Sequence, residues 1–147
     1  MPSILKEHLK CKEMNDKPIR VLSIEDDHEY ARLLQEMLAA AWDAPFDLEH
    51  ADRLSTGQER LAAETFDLIL LDLSLPDSWG FDSFTGVYNR APDVPIIVLS
   101  GLGDRKLAMR AVQEGAQGYL IKGQLDAQLL MRAIRHAIGY RREKKAA

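Results

Sequence analysis

Short apolar runs alternate along this chain with longer segments in which apolar residues recur every three or four positions. The four clearest runs cover residues 21–24, 68–71, 96–99 and 119–121. Runs of this length predict strands of a parallel sheet buried on both faces, and the longer spacing predicts amphipathic helices between them. The pattern therefore predicts an α/β fold.

The alternation gives five strands and five helices. Strands are predicted over about 20–24, 46–50, 68–72, 95–99 and 118–121. Helices are predicted over about 29–42, from 55, over 81–89 and 104–114, and from 126 towards the C-terminus. We predict a doubly wound five-stranded parallel sheet with the flavodoxin-like order 2-1-3-4-5 and helices on both faces.

Turn and capping residues mark several of the predicted boundaries. Ser55 and Gln58 form a candidate capping box at the start of the second helix. Pro76 and Gly80 mark a loop before the third helix, and Gly115 fits as the stop of the fourth helix.

Composition and charge narrow the class of protein. The 147 residues suit one domain, and a net charge of −4 gives no general argument for direct nucleic-acid binding. The single cysteine, Cys11, excludes an internal disulfide and suits a reducing cytoplasm. No apolar run has the length of a membrane span, so we expect a cytoplasmic location without membrane contact. We expect a polar N-terminal extension over 1–17, one α/β domain over 18–140 and a basic helical overhang over 141–147.

The ionisable and hydroxyl residues follow the ends of the predicted strands. In open α/β sheets, ligands bind outside the carboxyl ends of the strands, so these side chains are expected to meet at one edge. A carboxylate at the end of a buried strand can attack phosphorus and form an aspartyl phosphate. The strand-end residues are Glu25, Asp26 and Asp27 after the first strand, then Asp72, Ser100 and Lys122.

Their chemistry is that of a phosphoryl-transfer site. Clustered carboxylates repel one another unless a cation intervenes, and oxygen-only ligands favour Mg²⁺. Ser100 is suited to hydrogen-bond a phosphoryl oxygen, and Lys122 to neutralise another. Taken alone, Asp26 or Asp27 is more often a helix cap, but the whole set at successive strand ends favours the phosphoryl site.

From about Pro18 to Tyr140 the chain resembles the receiver domain of bacterial two-component response regulators. The matching segments are Glu25-Asp26-Asp27, the sequence DLSLPD at 72–77 with Gly80, PIIVLSG at 95–101 and GAQGYLIK at 115–122. The resemblance implies that Asp72 accepts a phosphoryl group from a histidine kinase or a histidine phosphotransfer protein.

The resemblance also implies roles for the other residues. Asp26 would bind Mg²⁺ directly, Glu25 would help through water, and the Ser74 carbonyl would coordinate. Ser100 and Tyr119 would form the conformational switch, and Lys122 would contact the phosphoryl group. The family usually has proline after this lysine, joined by a cis bond. Because Gly123 stands there, we predict a trans or mixed Lys122–Gly123 peptide.

Four functions are compared. The favoured one is a phosphorylation-dependent switch that catalyses only its own phosphorylation and dephosphorylation, and so is not a conventional enzyme. A receiver-like interaction module that is never phosphorylated is the main alternative. A haloacid-dehalogenase-like phosphatase needs a second acid two residues after the nucleophile, where Ser74 stands. A flavin site needs a phosphate-binding loop where this chain has three acids.

The remaining residues are too few for a helix-turn-helix or an enzyme domain, so output is expected through a downstream effector, a homodimer or an output domain absent from this chain. We predict that the fourth helix, fifth strand and fifth helix form the partner surface. The overhang would extend it with Tyr140, Arg141, Arg142, Lys144 and Lys145.

Overall fold

The computed structural model describes residues 17–42 and 44–146, with residues 140–146 described as backbone only. The described strands are β1 (Ile19–Ile24), β2 (Phe46–Ala51), β3 (Leu68–Asp72), β4 (Ser74–Leu75), β5 (Ser78–Trp79), β6 (Ile96–Ser100) and β7 (Gly118–Ile121). The described helices are α1 (His28–Ala41), α2 (Leu54–Ala63), α3 (Phe81–Tyr88), α4 (Arg105–Gln113) and α5 (Ala127–Ala146). Residues 1–16 of the expected N-terminal extension lie outside the described residues, as do the overhang side chains.

Five of the strands form one parallel sheet in the order β2-β1-β3-β6-β7. This confirms the predicted doubly wound topology, since β6 and β7 are the predicted fourth and fifth strands. The two short strands β4 and β5 form an antiparallel hairpin between β3 and α3. The sequence predicted only a loop there, because strands of two residues carry no periodic pattern.

Helices cover both faces of the sheet. Leu34 and Leu38 of α1 pack with Leu130 and Ile134 of α5 in the apolar cluster on one face. Residues from α2, α3 and α4, including the buried Phe84 of α3, pack in the cluster on the other face. Every residue of β3 and of β6 is buried, which explains why these strands are apolar runs rather than alternating patterns.

The start of α2 differs from the sequence prediction. The helix begins at Leu54, its N-cap residue Arg53 makes no side-chain cap, and Gln58 donates to the Gly86 carbonyl at 3.1 Å. The predicted Ser55–Gln58 capping box is therefore wrong. Its place is taken by Asp77 in the turn of the β4–β5 hairpin, whose carboxylate accepts the backbone N–H groups of Leu54 and Ser55 at 2.8 and 2.9 Å.

Two predicted glycine positions have positive φ angles. Gly115 has φ +135° just after the end of α4, which confirms it as the stop of that helix, and a Cβ there would lie 2.8 Å from Tyr88. Gly80 has φ +73° and precedes the first residue of α3.

The loop after β7 begins with a single 3₁₀ turn, Lys122–Gln124. No peptide bond between described residues is cis, so the Lys122–Gly123 bond is trans, as Gly123 predicted. Within the same part of the chain, no helix is long and apolar enough to cross a membrane.

Candidate functional site

The register of the parallel strands brings the predicted site residues to one edge of the sheet. Ile24 pairs with Leu71, so Glu25 and Asp72 leave neighbouring strands side by side. Ser100 pairs with Ile121, and Lys122 follows directly. Because all five strands run in the same direction, these residues lie at the carboxyl edge, where ligands bind in this class of fold.

The ammonium group of Lys122 bridges two carboxylates at the centre of this edge. Its Nζ donates to Glu25 Oε1 at 2.7 Å and to Asp72 Oδ2 at 3.0 Å. Glu25 is fully buried and Asp72 is 6% exposed. The other Asp72 oxygen, Oδ1, accepts the backbone N–H of Ser74 at 2.9 Å. The most buried charges of the site are thus held by direct hydrogen bonds.

Three carboxylates are arranged to hold a divalent cation. Glu25, Asp26 and Asp72 each offer a ligand atom, and these atoms all lie within 4.8 Å of one another. Glu25 Oε2 is buried and has no hydrogen-bond partner among the described residues. A buried carboxylate oxygen without a partner is costly, and a hard cation such as Mg²⁺ would satisfy it. The residues present fit the predicted ion, with Asp26 supplying the exposed member of the set.

The crowding of these charges shifts their ionisation. Burial, with the neighbouring Asp72 carboxylate as a second cause, raises the pKa of Glu25 to about 8, although Lys122 opposes the change. Burial acts to lower the pKa of Lys122, but the hydrogen bond to Glu25 and the charge of Asp72 outweigh it, so the Lys122 pKa is raised. Lys122 therefore remains a cation at the site.

Ser100 and Tyr119 lie on neighbouring strands and on the same face of the sheet. Tyr119 pairs with Val98, two residues before Ser100, and packs at the edge of the cluster that contains Val98. The Ser100 hydroxyl is buried and has no hydrogen-bond partner among the described residues. The Tyr119 hydroxyl accepts a hydrogen bond from Arg105 Nε at 3.2 Å. The predicted switch residues are therefore neighbours, while no direct hydrogen bond joins Ser100 to Asp72 in the described part of the chain.

The third acid after β1 has a different role from the other two. The Asp27 carboxylate accepts the backbone N–H groups of Glu29 and Tyr30 at 3.0 and 3.2 Å, so it is the N-cap of α1. His28 is exposed on the first turn and its ring lies edge-on against His50, with centroids 5.3 Å apart. His50 Nε2 donates to the Glu25 carbonyl at 2.6 Å. Asp27 therefore belongs to the helix, and His50 anchors the backbone of the acidic loop.

Tyr30 is a site residue that the sequence analysis did not identify. Lys122 Nζ lies 4.6 Å from the centroid of the Tyr30 ring, and the Tyr30 hydroxyl lies 3.4 Å from the Lys122 carbonyl oxygen. The sequence does indicate that Tyr30 faces the core, because Tyr30, Leu34 and Leu38 are spaced four residues apart on one face of a helix. Tyr30 is the first of the three, and so lies nearest the carboxyl edge.

Comparison with known proteins assigns this geometry to a family. Residues 21–135 match the family model described as the response regulator receiver domain. The chain belongs to this family. Receiver domains are regulatory modules of two-component systems rather than conventional enzymes.

Individual relatives support the assignment. The regulatory protein LuxO of Vibrio cholerae is 36% identical over 102 residues, which cover 67% of this chain and 21% of LuxO. The transcriptional regulatory protein CusR of Escherichia coli is 30% identical over 114 residues, which cover 78% of this chain and 49% of CusR. The chain thus spans half or less of the length of the curated relatives that it matches.

The fold also matches solved structures. A response regulator receiver domain protein from Clostridium thermocellum superposes with a TM-score of 0.75 at 26% identity, covering 88% of this chain and 99% of that chain. The similarity therefore extends over almost the whole of a receiver domain.

Proposed function

We propose that this receiver domain accepts a phosphoryl group on Asp72 and uses it to control a partner. The observation that carries the proposal is the bridge from Lys122 to Glu25 and Asp72, with the ligand atoms of three carboxylates within 4.8 Å at the same edge. This arrangement combines a nucleophile, a fixed positive charge and oxygen ligands for a cation, which together suit in-line phosphoryl transfer.

The proposed step requires no oxidant and no further co-reactant. A carboxylate oxygen of Asp72 attacks phosphorus and forms the acyl phosphate, while the phosphorus–nitrogen bond of a donor phosphohistidine breaks. The bonding electrons stay on the imidazole nitrogen, which takes up a proton. Hydrolysis ends the signal: water attacks phosphorus, the bond between phosphorus and the Asp72 oxygen breaks, Asp72 is regenerated as a carboxylate and inorganic phosphate leaves.

Each site residue has a separate role in the proposed phosphoryl transfer. Lys122 neutralises charge on the phosphoryl oxygens, and the Ser74 N–H holds one Asp72 oxygen in place. Mg²⁺, held by Glu25, Asp26, Asp72 and the Ser74 carbonyl, would neutralise further charge on the phosphoryl group when bound. The Ser100 hydroxyl, which is buried without a partner among the described residues, is suited to donate to a phosphoryl oxygen.

Conformational output is proposed to pass from Ser100 to Tyr119. Movement of the Ser100 hydroxyl towards the phosphoryl group would open space beside Val98 that the Tyr119 ring can enter. The affected surface would be the face formed by α4, β7 and α5. Two apolar side chains in or next to α4 are exposed, Leu102 just before the helix at 72% and Met109 in it at 45%.

The proposed partners follow from this chemistry. Upstream, a histidine kinase or a histidine phosphotransfer protein supplies the phosphoryl group in the cytoplasm. Downstream, an effector protein, a second copy of this chain or an output domain absent from it responds. The receiver itself is proposed to span 18–140, with 141–147 as a helical extension of the output face.

The alternative functions have less support. A haloacid-dehalogenase-like phosphatase would need an acid where Ser74 stands, and Ser74 contributes a backbone N–H to Asp72. A module that is never phosphorylated would have no use for two buried carboxylates held together by a lysine, because burying these charges costs stability.

Incubation of the purified protein with acetyl phosphate and Mg²⁺ tests the proposal. Intact-mass measurement should show a single phosphoryl adduct that is lost with Asp72→Ala and with a chelator. Asp27→Ala is the matched control, because it removes a neighbouring carboxylate that caps α1, and it should retain the adduct. An undiminished adduct on Asp72→Ala would overturn the assignment, and no adduct on the wild-type protein would favour the phosphorylation-independent module.

A further inference from the structure

The Lys122 ammonium has an aromatic neighbour on the side that the carboxylates leave open. Nζ donates one hydrogen bond to Glu25 Oε1 and one to Asp72 Oδ2, and the Tyr30 ring centroid lies 4.6 Å from Nζ. This distance is within the range of a cation–π contact, which is strengthened where water is excluded. Tyr30 is half-buried against the α1–α5 side of the core.

Tyr30 also reaches the backbone of the same lysine. Its hydroxyl donates to the Lys122 carbonyl oxygen at 3.4 Å, a long hydrogen bond between residues 92 positions apart. The turn that follows offers little other support. A Cβ at Gly123 would meet no described atom within 4 Å. The Lys122 carbonyl also accepts the backbone N–H of Leu125, and this hydrogen bond is 3.4 Å long as well.

We propose that Tyr30 is a positioning residue for Lys122, and that its ring holds the ammonium at Asp72 during phosphorylation, while the long hydroxyl contact to the Lys122 carbonyl adds little. The proposal rests on the proposed role of Asp72 as phosphoacceptor. A lysine side chain has four rotatable bonds, and that of Lys122 is 24% exposed, so water competes for its ammonium. The Tyr30 ring, held on the first turn of α1, favours the conformations of the Lys122 side chain in which the ammonium stays beside the two carboxylates.

The kinetic test compares two substitutions under saturating Mg²⁺ with acetyl phosphate as donor. Tyr30→Leu removes the ring and the hydroxyl, and should lower the rate of adduct formation about three- to tenfold, as the loss of one cation–π contact implies. Tyr30→Phe keeps the ring and should stay within about twofold of the wild-type rate. Leu33→Ala, an exposed apolar position on the same helix, is the control and should also stay within about twofold.

A spectroscopic measurement separates positioning from a general structural role. In unphosphorylated protein, the ring current of Tyr30 should shift the Lys122 ε-methylene protons upfield, and these signals are assigned by their absence in Lys122→Met. The upfield shift should persist in Tyr30→Phe and disappear in Tyr30→Leu.

The outcomes distinguish the two proposals. No adduct on the wild-type protein overturns the proposed function. An adduct on the wild-type protein with an unchanged rate in Tyr30→Leu overturns the role of Tyr30 alone. Lys122 ε-methylene signals at ordinary positions in the wild-type protein also overturn it, even where Tyr30→Leu fails to fold. An equal loss of rate in Tyr30→Phe and Tyr30→Leu would overturn the contribution of the ring.

Discussion

Glu25 is the most buried ionisable residue of the site, so a charge is least favourable there. Its side chain is fully buried, it lies beside the Asp72 carboxylate, and one of its oxygens has no hydrogen-bond partner among the described residues. Lys122 offsets part of this cost at 2.7 Å. In the absence of a cation the ionised form of Glu25 therefore destabilises the fold, and a bound cation would offset this cost.

Removing this charge should stabilise the protein in chelator. Glu25→Gln keeps the shape and an acceptor for Lys122. It should raise the free energy of unfolding at pH 7 by on the order of 3 kcal/mol, because this pH lies about 2.5 units above the ordinary pKa of 4.5 and each unit is worth about 1.4 kcal/mol. Urea unfolding measures the difference. Glu36→Gln, an exposed Glu on α1, is the control and should change it by less than about 0.5 kcal/mol.

The pH dependence of this difference has a definite sign. The native protein holds the Glu25 proton up to a pKa of about 8, whereas the ordinary value is 4.5. The unfolded chain therefore loses the proton first, and wild-type stability falls as the pH rises from 4.5 to 8. The advantage of Glu25→Gln should be smallest below pH 4.5 and largest above pH 8. A variant less stable than wild type at pH 8 in chelator would contradict this account.

At the scale of elements, the β4–β5 hairpin connects β3, which ends at Asp72, to the neighbouring helix α2. Asp77, in the turn of the hairpin, caps the N-terminus of α2. The Ser83 hydroxyl of α3 donates at 3.0 Å to the carbonyl of Leu73, the residue that follows Asp72. Burial acts to raise the pKa of Asp77, but the N–H groups of Ser55 and Leu54 outweigh it and leave the Asp77 pKa lowered.

Loss of this cap should destabilise α2. Asp77→Ala leaves two backbone N–H groups of the first turn without an acceptor, and should lower the free energy of unfolding by about 1 kcal/mol at pH 7. Glu59→Ala, an exposed acid on the same helix, is the matched control. Because the folded pKa is lowered, the effect of Asp77→Ala should shrink as the pH falls below 3.8. Equal effects of the two substitutions at pH 7 would contradict the capping role.

At the scale of the whole molecule, the site and the proposed output face share β6 and β7. Ser100 ends β6 at the carboxyl edge of the sheet, and Tyr119 of β7 faces α4 through its hydrogen bond with Arg105. The helix α5 borders the other side of β7 and continues to Ala146, eleven residues beyond the family match that ends at 135. Its 20 residues span about 30 Å, so it can present a surface beyond the sheet.

Beryllofluoride, a mimic of the phosphoryl group, should therefore change both Tyr119 and self-association. In protein labelled with fluorotyrosine, the Tyr119 resonance should move on binding while Tyr88, packed over Gly115, stays in place. Ser100→Ala should abolish the movement. Deletion of 139–147 should leave the movement of the Tyr119 resonance intact. The same deletion should weaken self-association by about tenfold, or about 1.4 kcal/mol, in sedimentation experiments. An unmoved Tyr119 would refute the switch, and unchanged association would leave 139–147 outside the interface.

The parallel sheet and the edge at which the site residues meet follow from the sequence alone. Buried strands must be apolar along their length, so the residues that end such runs are visible as soon as the runs are found. The acids after β1, Asp72, Ser100 and Lys122 could be grouped in this way without any coordinates. Gly115 and Gly123 were predicted correctly for a similar reason, since each acts on the backbone at its own position.

The partner of each polar side chain, in contrast, depends on how the helices and strands pack together. Asp27 caps α1 while Asp26 lies in the carboxylate cluster with Glu25 and Asp72, although Asp26 and Asp27 are adjacent in sequence. Asp77 caps a helix that begins 23 residues earlier, and Tyr30 contacts a lysine 92 residues later. Periodicity records only which face of an element is buried. Hydrogen bonds and cation–π contacts depend on distances of a few ångströms between elements, which the strand register and helix packing set.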